Sequence, residues 1–126
     1  YEKIAVNAAK QCRRNRLPAV FPPRALTAFL DQEKKSEATL VIPCLSRERS
    51  HLTDIVKPNA LPRQIIVLIG PEGDFTPEEV RLACSCGAIP VSLGETVLKV
   101  DTAAIAVLAY LSFLAGNITS PLIKDI

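Results

Sequence analysis

Residues 68–75 read Leu-Ile-Gly-Pro-Glu-Gly-Asp-Phe, the stretch of the chain with the most chemical character. An aliphatic run stops at Gly70, and two acids, Glu72 and Asp74, flank a second glycine, Gly73. Glycine lets a ligand approach the backbone closely. No Gly-Lys-Ser/Thr follows, so this is not a Walker phosphate loop, and it lacks the dinucleotide GxGxxG spacing. Two carboxylates beside the turn repel phosphate. They suit hydroxyls, amines or a cation, so an uncharged or cationic nucleoside such as S-adenosylmethionine fits better than a di- or triphosphate. An ordinary strand–turn–helix junction, with both acids near a positive helix N-terminus, is the alternative left open. A second candidate is Leu-Lys-Val-Asp-Thr-Ala-Ala at 98–104, where Lys99 could approach a substrate and Asp101 or Thr102 could cap a helix.

These loops need strands and helices to hold them. Residues 64–70 form an apolar run without alternation, which predicts a strand covered on both faces. Residues 38–43 and 88–94 predict two more strands, the latter ending at Gly94. In open parallel sheets ligands lie beyond the carboxyl ends of strands. Ile42 and Pro43, Ile69 to Gly73, and Ser92 to Gly94 stand at such ends. Helical spacing covers residues 2–13, with Pro18 as the stop, and residues 24–33, with a short helix around 51–56. Thr76, Pro77 and Glu79 make a strong helix start with a capping box, and Gly87 a stop. A last helix is expected from about Thr102 to Ala115, ended by Gly116 and Asn117. Strands alternating with helices indicate an α/β domain with a largely parallel sheet. The last helix is apolar nearly all the way round, which leaves two readings: a subunit interface, most simply of a two-fold dimer, or a central helix covered by other chain.

Composition bounds the rest. The chain has 126 residues, 48% hydrophobic, with a formal net charge of +2, too weak to indicate nucleic acid by itself. Four cysteines make no CxxC pair and there is one His, so no zinc site is expected and the thiols read as reduced, in a cytoplasmic protein. No apolar run approaches the roughly 20 residues that span a bilayer. Basic residues gather at Lys10, Arg13, Arg14 and Arg16, with Arg24, Arg47 and Arg49 elsewhere, forming either a solvated face or an RNA phosphate patch. The chain begins at Tyr1 and contains no Met, so it reads as a piece of a longer protein.

The segments AAKQCRRNRLP, LVIP, LIGPEGDFTPEE and GAIPVSLGETVLKVDTAAIAVLA occur in this order over residues 8–109. Together they resemble the bacterial ribosomal RNA small subunit methyltransferase E family of the SPOUT superfamily, over about residues 2–115. The resemblance implies an enzyme that uses S-adenosylmethionine to methylate nitrogen 3 of a uridine in 16S ribosomal RNA. It implies a SPOUT-type domain over residues 1–126, a parallel sheet with helices on both faces and a C-terminal deep trefoil knot, an exception to unthreaded connections. It further implies a homodimer acting on small-subunit particles in the cytoplasm, without metal or membrane, and a PUA-like RNA-binding barrel that this chain does not include. A SPOUT enzyme for another RNA, or a non-catalytic RNA-binding or dimerisation module, are the rival readings.

Carried over by residue, Ile69, Gly70, Glu72 and Gly73 resemble the first cofactor loop, and Leu93 and Gly94 the second. Val97, Leu98, Lys99, Thr102 and Ala103 resemble the third, and Ile42 and Pro43 match a strand end near the cofactor. Gln11 and Arg14 match a segment used near the substrate. Arg14 and Lys99 are the candidates for stabilising charge on the reacting uracil. Departures are specific. Asp74 stands where the family carries a second glycine, Arg13 where it carries another, and Thr96 and Lys99 where it carries arginines. Asp101 replaces a glutamate.

Overall fold

The computed structural model describes residues 1–13, 15–45 and 49–118. The elements run α1 (Glu2–Gln11), α2 (Leu26–Glu33), β1 (Thr39–Pro43), β2 (Ser50–His51), α3 (Leu52–Ile55), β3 (Ile65–Val67), α4 (Pro77–Ser85), β4 (Ile89–Ser92) and α5 (Val100–Ile118). The strands form one parallel sheet in the order β2-β4-β1-β3. The central strand β1 pairs Val41 with Val67 on one side and with Ile89 on the other.

Alternation along β1 divides the core. Leu40 and Ile42 pack with Leu30 of α2, Leu68, and Ala83 of α4 on one face. Val41 packs with Leu52, Val56, Val91, and Val107 and Leu114 of α5 on the other. Helices thus cover both faces, and a strand buried on both sides reads as a continuous apolar run. Tyr110 adds a hydroxyl bond to the Val56 carbonyl at 2.8 Å, which pins α5 to the segment after α3.

Several boundaries differ from the sequence-based expectation. The clearest predicted strand, 64–70, is regular only over Ile65–Val67, because β3 is an edge strand with one paired neighbour. β2 was not anticipated; two polar residues carry no periodicity, and only pairing with β4 defines it. α1 ends at Gln11 rather than at Pro18, because Arg13 turns left-handed at φ 54°. α5 begins at Val100 and runs through Gly116 and Asn117. A single glycine in a helix lowers its stability without necessarily ending it.

The expected caps of α4 are present. Glu79 N–H donates to Thr76 Oγ1 at 3.2 Å, and Thr76 N–H donates to Glu79 Oε2 at 2.8 Å. At the other end Gly87 adopts φ 95°. Its N–H reaches the Cys84 carbonyl and that of Ala88 reaches Ala83, each at 3.0 Å. That is a Schellman closure, which aims the chain directly into β4.

Candidate functional site

The carboxyl ends of β1, β3 and β4 carry loops that enclose one cavity of about 880 Å³, completed by the first turn of α5. Each loop is shaped by identifiable residues. After β3, Asp74 N–H donates to the Pro71 carbonyl at 3.0 Å, closing a tight turn. Gly73 and Asp74 both take positive φ, 97° and 71°. The turn folds back over Gly70. A Cβ there would lie 3.0 Å from Asp74 Oδ1 and 3.2 Å from the Phe75 nitrogen, so only glycine fits without displacement.

Asp74 also joins two loops. Its Oδ1 accepts Phe75 N–H at 2.8 Å, and its Oδ2 accepts Leu45 N–H at 3.1 Å. The end of β1 is held from two further directions. Cys44 N–H donates to the Val91 carbonyl at 3.2 Å, and the Cys44 carbonyl accepts Arg49 Nη1 at 2.8 Å. After β4, the buried Ser92 hydroxyl accepts Gly94 N–H at 3.2 Å and lies 2.9 Å from the Gly94 carbonyl, to which it donates. Gly94 holds φ 125°. The cavity wall is therefore largely backbone fixed by short polar side chains.

Most residues anticipated from sequence meet here. Pro43, Ile69, Gly70, Glu72, Gly73, Leu93, Gly94, Val97, Leu98, Lys99 and Ala103 line the cavity. Ile42 does not; strand alternation turns it into the core with Leu30 and Ala83. Thr102 does not either. On α5 the lining residues are Val100, Ala103 and Ala104, with Asp101 beside them, and spacings of three and four keep the first three on one helix face. Asp101 accepts Thr102 N–H at 3.1 Å, and the first helical bond runs from Ala103 N–H to the Lys99 carbonyl at 2.7 Å, so neither Asp101 nor Thr102 is the cap. Arg14 lies outside the described residues; Gln11 ends α1 and is exposed.

Sequence reasoning did not assign Cys44 or Arg49 a place in the wall, whereas Ser92 and Asp74, expected at the strand ends, do line it. The bond from Asp74 to Leu45 N–H was not foreseen, since it spans 29 residues. Glu72, Asp74 and Asp101 supply negative charge, and Arg49 and Lys99 supply positive charge. The two ion pairs among the described residues, Lys34–Asp31 and Arg81–Glu78, lie elsewhere. Lys34 is raised above the ordinary lysine value by its hydrogen bond to Asp31. Burial pushes the Cys84 thiol up, with Cys44 nearby adding to the effect. Among the described residues no group of three or more His, Cys, Asp or Glu is placed to hold a metal ion, and no helix is long and apolar enough to cross a membrane.

A parallel sheet with helices on both faces and a glycine-walled cavity at its strand ends defines an α/β ligand-binding domain. The chain belongs to the RNA methyltransferase domain family, which matches residues 1–112. It is 36% identical over 115 residues to ribosomal RNA small subunit methyltransferase E of Synechocystis, covering 90% of this chain and 38% of that relative. Against the enzyme of the same name from Mycobacterium tuberculosis identity is 30% over 121 residues, covering 93% of this chain and 45% of the relative. Among solved structures, a ribosomal RNA small subunit methyltransferase E from Neisseria gonorrhoeae bound to S-adenosyl methionine matches with TM-score 0.79 and 31% identity, over 90% of this chain and 46% of that one. A putative methyltransferase from Legionella pneumophila, in complex with the bound cofactor SAM, matches with TM-score 0.75 and 34% identity, over 89% of this chain and 44% of that one. The chain thus spans less than half the length of each.

Proposed function

We propose that this chain is the catalytic domain of an S-adenosylmethionine-dependent methyltransferase that modifies nitrogen 3 of a uridine in 16S ribosomal RNA. The observation that carries the reading is the cavity at the strand ends: crowded glycine backbone beside carboxylates, chemistry that suits a cationic nucleoside and disfavours phosphate. Family membership and relatives solved with that cofactor support it. Gly73 and Gly94, with open space where a Cβ would stand, let the ligand approach the backbone, while Glu72, Asp74 and Asp101 complement its positive groups.

When bound, the cofactor supplies a methyl group activated by a sulfonium. The chain's own part is to hold the uracil in line and stabilise its charge. Holding two reactants in register can supply much of a rate enhancement. Lys99 lines the cavity, and its ammonium would stabilise negative charge on the uracil oxygens as the imide proton leaves. Arg14 is the second candidate for that role. The loop after β4 and the start of α5 crowd the same cavity as the loop after β3, which fits a C-terminal deep trefoil knot of the SPOUT type.

The enzyme acts as a homodimer on small-subunit particles in the cytoplasm, without metal. α5 supports the dimer. Val107 and Leu114 face the core, but Ile105, Leu108 and Phe113 are 68%, 63% and 68% exposed. Three large apolar side chains on one helix suggest a buried partner surface. Incubating the protein with S-adenosylmethionine and unmethylated 16S ribosomal RNA, then reading nucleosides by mass spectrometry, tests the activity. N3-methyluridine should appear, and Lys99→Ala should lower turnover about 10-fold with cofactor affinity kept. Turnover unchanged in Lys99→Ala would remove that residue's role; no methyluridine from the unaltered protein would remove the activity.

A further inference from the structure

We propose that Arg49 is a substrate-binding residue that takes a phosphate oxygen of the RNA at the mouth of the cavity. The inference rests on the methyltransferase reading above. Arg49 lines the cavity yet is exposed, which places it at the rim rather than in the glycine-walled interior. One donor, Nη1, is spent on the Cys44 carbonyl at 2.8 Å. That carbonyl is a rigid anchor, because Cys44 is buried and its own N–H is tied to Val91. A guanidinium carries five donors in one plane, and among the described residues no other acceptor engages them.

Charge sharpens the assignment. The exposed cations Lys34 and Arg81 each have an acidic partner. Among the described residues Arg49 has none, although Glu72, Asp74 and Asp101 line the same cavity. Asp74 is already occupied, with both oxygens on backbone amides. An anchored guanidinium with spare coplanar donors is built for an oxyanion, which it binds bidentately. Exposed Lys99 stands on the same cavity and adds a second positive charge against three acids. Among the described residues that line the cavity, Arg49 and Lys99 are the cations that can complement the phosphates of a polyanion. The carboxylate of the cofactor is the other oxyanion at hand, and the experiment separates the two.

The test compares the unaltered protein with Arg49→Gln and Arg49→Lys. Binding of an unmethylated 16S ribosomal RNA transcript is measured across salt concentrations, with S-adenosylmethionine affinity measured in parallel. Each phosphate contact adds about 0.9 to the slope of log affinity against log salt. Arg49→Gln should weaken RNA binding by about 10-fold and lower that slope by about 1. Arg49→Lys should keep the slope and recover part of the affinity, since it retains charge but not the fork. Cofactor affinity should stay within about twofold in both. An unchanged slope in Arg49→Gln overturns the proposal. So does a loss of cofactor affinity at constant slope, which would assign Arg49 to the cofactor carboxylate. Failure of the methyltransferase reading appears separately, as absent cofactor binding by the unaltered protein.

Discussion

Arg13 and Asp74 both hold a left-handed backbone, at φ 54° and φ 71°, a conformation that favours glycine, and the resemblance of the sequence implies glycine at both positions. Their surroundings differ. At Asp74 the side chain bonds Phe75 N–H and reaches across to Leu45 N–H, while its own N–H closes the turn on Pro71. Among the described residues, Arg13 makes one long backbone bond, N–H to the Lys10 carbonyl at 3.3 Å, and its exposed side chain makes none. Asp tolerates the left-handed region through this kind of local bonding, whereas a longer side chain meets the steric cost of about 1–2 kcal/mol uncompensated. A non-glycine residue can therefore occupy a left-handed position in two ways. One substitute takes over a structural task and binds two loops of the site into a unit. The other leaves strain in the backbone beside Arg14, and strain of this kind tends to gather at functional segments.

The comparison can be broken by substitution. Asp74→Ala has the largest expected effect. It leaves two amides without their acceptor and keeps a Cβ at positive φ, so a loss of about 2–3 kcal/mol is expected in denaturant unfolding. Asp74→Gly relaxes the backbone and should lose only about 1 kcal/mol. In both variants the Leu45 amide should exchange hydrogen faster. If Asp74→Ala were as stable as the unaltered protein, the bridge would carry no weight. Arg13→Gly has the smallest effect and the opposite sign. Relief of steric strain outweighs the added unfolded-state entropy by roughly 0.5–1 kcal/mol, so the melting temperature should rise. A fall would show that the Arg13 side chain is compensated after all.

The same contrast explains what was legible in the sequence. Local signals translated directly. The Thr76–Glu79 capping box, the Gly87 closure and the apolar runs of β1 and β4 depend on residues within one turn or one strand. Glycine at 70, 73 and 94 marked the cavity loops for the same reason. Contacts between distant segments left no pattern to read. The Asp74–Leu45 bond, the anchoring of Arg49 on Cys44 and the pairing of β2 with β4 appear only once the chain is folded. Boundaries moved where tertiary context overrode local preference. β3 is short because it lies at an edge, α1 stops early at a strained turn, and α5 starts two residues before Thr102, where Lys99 takes the first helical bond.

Calorimetric titration with S-adenosylmethionine, on the unaltered protein and on Gly70→Ala, tests the central claim most directly. The cavity reading predicts one binding event in the unaltered protein. It predicts weaker binding in Gly70→Ala, whose Cβ would lie 3.0 Å from Asp74 Oδ1 and displace the turn that lines the cavity. No heat at millimolar cofactor with the unaltered protein would contradict it and leave a non-catalytic RNA-binding module, and equal affinity in the two proteins would place the cofactor elsewhere.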